Sequence, residues 1–399
     1  MHHHKQLILW AVLLLGLCGG VLPTHLRAES SNESPAVIGA TPQTTEIRDC
    51  TGLVRRIPVH PSRIILVRGR DIYELAALLG EELPARLLAY GPDLESSDAD
   101  AYQVFTQRFP SLVQAPRTGD IFRDAVSAEQ LIELKPDLII LDVFMRERGY
   151  RCLDALEKAG LPLLYLDETG DPFESSLKSL ELLGKVLGEK ADARAQLIAA
   201  KARGRIGRLL GRLADDAIPC PSVYFETGGD PDRPGASFGS YGSPPHRSGW
   251  GEVLHRLRVT NIAEGHVVNM ASLQPEYVLE ANPSWIVLSG QSWRGQHGLH
   301  LGFLATAHEN DAQLQRICAR PGWSSLKAVR SGRVFAVYHN FCMHFFNFAC
   351  LEAMAKAFHP DLFQDLNPEE DLQAFLKEFL PVEPTGTWLL APTLKSVNP

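Results

Sequence analysis

The chain has 399 residues, 45% of them hydrophobic and 22% charged, which is an ordinary globular composition on a length that exceeds one hydrophobic core and predicts two lobes. A formal net charge of -8, without long runs of one sign, argues against nucleic acid as a partner. Beyond the N-terminal segment, no apolar stretch is long enough to form a membrane helix.

At the N-terminus, a histidine run and Lys5 precede a continuous apolar stretch from Leu7 to Cys18, and the chain turns polar after Leu22. A basic start and a short apolar segment read as a secretory signal peptide over residues 1–28, with Ala28 as the small residue at the cleavage position. The expected location is therefore periplasmic or otherwise extracytoplasmic. Leu15-Gly16-Leu17-Cys18 offers an alternative, a lipobox that would make Cys18 a lipid anchor, although the bulky Leu17 weighs against it. Residues 29–43 are rich in Ser, Pro, Thr and Asn, carry no periodicity, and read as a flexible tether. Six further cysteines show no C-x-x-C spacing, and Cys342 and Cys350 are close enough in sequence to pair or not.

Residues 44–170 read as an N-terminal α/β lobe. A short hairpin turns at Cys50-Thr51-Gly52, and Ile64-Ile65-Leu66-Val67 has the β-branched character of a strand buried on both faces. A helical pattern from Ile72 to Leu79 stops at Gly80, and strand-like runs follow at Leu87–Tyr90, Leu138–Leu141 and Leu163–Leu166. Helical patterns at Ala128–Leu134 and Cys152–Ala159 separate the later strands, which implies parallel βαβ packing. Asp171-Pro172-Phe173-Glu174 has the makings of a helix start, and helical spacing then runs to about Leu213. Residues 171–214 are expected to link the lobes as a long helix, with a break near Gly188. A C-terminal α/β lobe is expected over residues 215–380, with strands at Ser222–Glu226, Trp285–Leu288 and Val334–Val337, followed by a tail over 381–399.

An internal repeat supports this division. Ser127-Ala128-Glu129 leads through Lys135-Pro136-Asp137 into Leu138–Leu141, and Gln274-Pro275-Glu276 leads through Asn282-Pro283-Ser284 into Trp285–Leu288. Each half thus carries a helix that opens on Glu, closes before Pro and feeds a buried strand. The fold class expected is α/β, two Rossmann-like lobes with parallel-sheet cores joined by a helical backbone.

These segments resemble the periplasmic solute-binding proteins of ABC importers for iron-siderophore complexes, haem or vitamin B12. The resemblance lies in Glu46-Ile47-Arg48-Asp49, Pro61-Ser62-Arg63-Ile64-Ile65, Glu129 to Leu141, Leu183-Gly184-Lys185-Val186-Leu187-Gly188, Pro321-Gly322-Trp323 and Gly332-Arg333-Val334, in that order along the chain. It implies a monomeric, non-enzymatic carrier without a cofactor of its own, delivering a metal chelate, an iron complex of siderophore type first, to an ABC importer permease. Haem, cobalamin or a bare transition metal are the alternative cargoes. The resemblance also implies that Glu129 and Glu276, one per lobe, dock onto permease arginines.

In open parallel sheets, ligands lie beyond the carboxyl ends of the strands. That places Arg68, Arg70, Arg117, Asp142, Phe144 and Arg146 at the N-lobe edge, and Tyr241, Trp293, His339 and Phe341 at the C-lobe edge. Arginines beside aromatics suit an anionic, partly aromatic chelate. Arg68 and Arg70 have a competing role in salt bridges to Asp71 or Asp120. His297, His300, His308, His339 and His344 keep direct metal ligation open. An enzymatic alternative rests on Gly235-Ala236-Ser237-Phe238-Gly239, a G-x-S-x-G match with Ser237 as nucleophile, but the surrounding Gly and Pro loop lacks the strand and helix that such an elbow requires.

Overall fold

The computed structural model describes residues 43–168, 170–215, 217–228, 239–242, 249–268, 270–295 and 298–392. The signal segment, Cys18, most of the tether, Ser237 and His297 lie outside the described residues. Among the described residues, no helix is long and apolar enough to cross a membrane.

The apolar runs singled out above become the centres of two parallel sheets. Strands β1 (Thr44–Arg48) and β2 (Val54–Pro58) form the opening antiparallel hairpin. Strands β3 (Ile64–Leu66), β4 (Leu87–Tyr90), β5 (Leu138–Asp142) and β6 (Leu163–Leu166) form a wholly parallel sheet in the order β4-β3-β5-β6. Every residue of β3, β5 and β6 is buried, as unbroken apolar runs covered by helices on both faces require.

In the second half β7 (Ser222–Thr227), β9 (Thr260–Asn261), β11 (Trp285–Gly290) and β12 (Val334–Tyr338) run parallel in the order β12-β11-β7-β9, with a short pair β8 (Ser240–Tyr241) and β10 (Met270–Ala271) beside them. Both sheets therefore share one plan. The first strand has the second on one side and the third on the other, and the strand order reverses between the first and third. The repeated helices, Ala128–Glu133 and Pro275–Ala281, precede the third strand in each lobe. Each is followed by a residue with positive φ, Lys135 at 49° and Asn282 at 42°, directly before its Pro. A left-handed residue followed by Pro stops the helix and turns the chain into the strand.

Three expectations need adjustment. The segment 171–214 is two helices rather than one: α1 (Ser175–Leu187) and α2 (Glu189–Arg212) are separated by Gly188 at φ 116° and fold back on each other. Gly184 on α1 fits against Ala191 and Ala195 of α2, and Arg203 reaches back to Glu174 and Glu181. The first helix also starts later than Asp171. Residues 171–174 make a turn, because the Asp171 carboxylate serves the Phe173 amide and the Arg256 guanidinium of the second half (2.9 Å each). Finally, the segment set apart as a tail is built into the C-terminal lobe. Strand β13 (Leu389–Leu390) adds antiparallel to β12, and the preceding Trp388 is fully buried against Phe303, Tyr338 and Phe346.

One hydrophobic cluster runs through both halves, from Ile64 and Leu66 through Ile198 to Val287 and Trp388, and a smaller cluster around Ile139 and Tyr165 packs the other face of the N-terminal sheet.

Candidate ligand-binding cleft

The order reversal between the first and third strands opens a crevice at the carboxyl end of each sheet, where the loops diverge. In the N-lobe this point lies between β3 and β5, and the residues leaving it are Arg68 and Asp142. They fill it themselves. The Arg68 guanidinium donates to Asp142 Oδ2 at 2.9 Å and to Asp71 Oδ1 at 2.6 Å, and all three groups are buried. Asp142 also accepts the Phe144 amide at 3.0 Å. Arg68 therefore serves as a structural cation, by way of the salt bridge to Asp71 anticipated from the sequence.

Arg70 sits one step further out. It pairs with Asp93 (3.1 Å) and donates across to Asn340 Oδ1 of the C-terminal half at 2.9 Å. Its guanidinium lies 5.3 Å over the ring of Phe122, which is 48% exposed, and Phe122 stacks on Phe144 with centroids 6.3 Å apart and planes 7° from parallel. Arg148 covers Phe144 at 5.2 Å. The result is a rack of two aromatic rings between two guanidiniums, each contact within cation–π reach. The close approach that places this loop depends on Gly69, where a Cβ would stand 2.1 Å from the Gly91 carbonyl oxygen.

In the C-lobe the reversal lies between β7 and β11, and the residues leaving it are Thr227, Ser289 and Gln291, with His339 following β12. Ser289 Oγ lies 2.8 Å from His339 Nδ1, and Tyr241 Oη lies 3.5 Å from His339 Nε2. The Trp293 ring meets the imidazole edge-on at 5.3 Å. Burial, followed by the nearby Arg70 charge, pushes the His339 pKa down to about 3, so the ring is neutral at any physiological pH. Burial raises the Tyr241 phenol above its ordinary range. Gln291 is buried, and neither end of its side-chain amide has a protein partner. An unmet amide at the mouth of a crevice is a group waiting for something polar.

Of the residues expected at the cleft, the structure groups Arg70 and Phe144 on one wall and Tyr241, Trp293 and His339 on the other, with the Arg70–Asn340 bond spanning the gap. Arg117 lies beside Glu95, donating to it at 2.7 Å, and stacks on Tyr90 at 4.1 Å, while the 73%-exposed Arg294 approaches the other Glu95 oxygen at 3.8 Å. Arg146 pairs with Glu157 at 3.1 Å within the N-terminal half. Phe341 is fully buried among Tyr338, Phe346 and Trp388. Glu129 and Glu276 are both exposed in the first turns of their helices. Phe122, Ser289 and Asn340 went unnoticed in the sequence. Phe122 carries a readable sign in hindsight, a large aromatic in the Gly119-Asp120 loop, whereas Ser289 lies inside an apolar strand that gives no hint of its partner. Among the described residues, no group of three or more His, Cys, Asp or Glu side chains is placed to hold a metal ion.

Comparison with known proteins agrees with this fold. The sequence pattern described as periplasmic binding protein matches residues 96–339, more than half of the chain. The crystal structure of a TroA-like periplasmic binding protein, FepB, from Veillonella parvula is 30% identical, with a TM-score of 0.78 over 87% of this chain and 99% of that one. A molybdate-binding protein of Haemophilus influenzae, MolA (16% identity, TM-score 0.60, 84% and 97% covered), and a periplasmic haem-binding protein of Pseudomonas aeruginosa (23%, 0.52, 75% and 93%) share the fold. No curated protein sequence matches the chain. With two lobes of one strand plan, a matching family pattern and a 30% identical relative aligned over 87% of its length, the chain belongs to the periplasmic binding protein family, extracytoplasmic solute carriers rather than enzymes, which work with ABC-type permeases.

Proposed function

We propose that the cleft captures a ferric chelate whose own donors leave two neighbouring coordination positions open, and that His339 Nε2 and Tyr241 Oη fill them. The observation that carries this reading is the neutral His339, braced at Nδ1 by Ser289 and presenting Nε2 3.5 Å from the Tyr241 oxygen. With Nδ1–H donating to Ser289, the lone pair on Nε2 faces the cleft. Two protein donors are too few to hold a bare ion, so the remaining ligands must arrive with the metal. Donors this close reach adjacent positions on one ion, not the opposite faces of a haem, which favours an open-chain chelate over a tetrapyrrole. The Arg70–Phe122–Phe144–Arg148 rack suits the anionic, aromatic body of such a chelate. Binding would release the Tyr241 phenolic proton.

The test is an absorbance titration with ferric complexes of four-donor and six-donor catecholates, with haemin and with bare Fe(III) as controls. A shift of the charge-transfer band with the four-donor complex, lost in His339→Ala and in Tyr241→Phe, is the expected result. Equal binding of the four-donor complex, with the same band, by wild type and both variants would remove the proposed ligands. Delivery to a permease through Glu129 and Glu276 belongs to the same reading, supported by their exposure on repeat-related helices, and predicts that charge reversal at either position leaves chelate binding intact while lowering uptake.

A further inference from the structure

Where the two halves meet, the acids outnumber the bases. The segment from Arg68 into the helix Ile72–Leu79 lies against residues 338–347 of the second half, and Arg68, Asp71, Glu74, Asp142, Glu168 and His344 are each at most 2% exposed. Four carboxyl groups thus share one guanidinium and one imidazole. Arg68 is taken by Asp71 and Asp142, and His344 Nδ1 lies 2.8 Å from Glu74 Oε1. Glu168 receives nothing. Both of its oxygens are buried without a donor, and Glu74 Oε2 and His344 Nε2 are likewise unmet. A carboxylate in a dry interior without a counter-ion or donor gives up its charge by binding a proton.

We propose that this cluster is a proton-binding seam: Glu168 is a neutral carboxylic acid in the assembled molecule, and its ionisation weakens the docking of one lobe on the other. The groups facing it are Asp71 and Glu74 from the segment leading into and through the helix Ile72–Leu79, Arg68 ahead of that helix and Asp142 at the end of β5. His344 reaches the cluster through Glu74. At the margins, Asp167 faces Asp142 while accepting the Gly170 amide and the Ser175 hydroxyl, Cys342 faces Arg68 and Arg70, and Asp98 faces His344 while accepting the hydroxyls of Tyr73 and Tyr338. Burial raises Glu168 well above the carboxyl range, and the Glu74 and Asp71 charges add to it. Asp71 and Asp142 are pushed up to about 7 and about 6, chiefly by burial, with Arg68 pulling the other way.

The sign follows from linkage. Raised carboxyl values mean that the folded state holds protons which the unfolded chain has already lost above about pH 4–5. Stability from the seam is therefore complete in acid and declines as pH rises through about 6 and 7, with Glu168 extending the loss upward. Cross-lobe docking becomes looser in alkaline surroundings and firmer in acid ones, independently of any cargo.

The experiment uses the unliganded full chain, so its failure is separate from failure of the chelate reading. Urea midpoints are measured at pH 5.5, 7.0 and 8.5 for wild type and Glu168→Gln, in sodium-free and calcium-free buffer and with each ion added. A midpoint that falls with pH in wild type and much less in Glu168→Gln supports the seam. An equal fall in both overturns it. Stabilisation of wild type at pH 8.5 by sodium or calcium, absent in Glu168→Gln, also overturns it, because a metal cation and not a proton would then balance the charge. Should Glu168→Gln fail to fold, infrared difference spectra of wild type between pH 5.5 and 8.5 decide: a protonated-carboxyl band that bleaches on raising the pH is expected, and absence of any such band refutes the proposal.

Discussion

Single residues in this chain divide sharply between those that hold the cleft together and those that face it. Arg68 belongs to the first group. Removing its side chain leaves Asp71 and Asp142 buried without their cation, so Arg68→Ala is expected to lose about 3–5 kcal/mol of stability in denaturant titrations. Arg70→Ala keeps the Asp71–Asp142 cluster intact but takes the guanidinium from buried Asp93, so it should lower stability and chelate affinity together, which separates the two neighbours by the binding readout. Ser289 acts through His339, and Ser289→Ala is expected to weaken ferric chelate binding roughly 10–100-fold while leaving the urea midpoint nearly unchanged, as for other groups that orient a metal-binding imidazole. The pH profile offers another check. His339 has its pKa at about 3 and contributes no bend between pH 5 and 8, so affinity should rise with pH through the Tyr241 proton alone and flatten in Tyr241→Phe. A bend near the ordinary histidine range would refute the neutral-imidazole geometry.

At the scale of elements, the turn between α1 and α2 is set by Gly188. Its φ of 116° is costly for any residue with a Cβ, and a Cβ there would stand 2.2 Å from the His60 imidazole. Gly188→Ala should therefore lower stability by about 1–3 kcal/mol, read as a shift in urea midpoint without loss of the cleft's chemistry. This glycine was visible in the sequence as a break. That the two helices fold back on each other was not, because the evidence lies in Gly184 meeting Ala195, a contact between positions that helical spacing treats alike. The parallel strands were readable because they are unbroken apolar runs, and the repeat was readable because Glu and Pro recur at a fixed offset. Two helices, Ala99–Arg108 and Ala307–Cys318, escaped notice since they are polar on most of their surface. The second carried a usable sign, Thr306 three residues before Glu309, and Thr306 does cap the Glu309 amide. The seam acids are of a third kind. Glu74 and Glu168 carry no sign of burial in the sequence, and the structure buries both beside Asp71 and Asp142, with His344 of the second half closing on Glu74.

The whole molecule is held by more than its helical backbone. Helix α2, 24 residues and about 36 Å long, packs against both halves, and a line of bonds crosses the lobes directly. Ala99 and Asp100 amides donate to Ser292, His300 and the Leu304 amide meet Asp100, and Arg294 donates from its backbone to Ser96. With these bonds in place, chelate binding should change the radius of gyration very little in X-ray scattering, and a compaction of several ångströms would contradict a seam of this strength. The helix Ile72–Leu79, all eight residues of it buried, has a consequence for how the protein can be divided. Each half supplies the surface that covers the other's core, so neither is a free-standing part. The exposed pair Pro219-Cys220, between the helices and β7, is a natural place to sever the polypeptide, and fragments cut there would behave as a complementing pair, inert apart and able to report on each other's presence by reassembling.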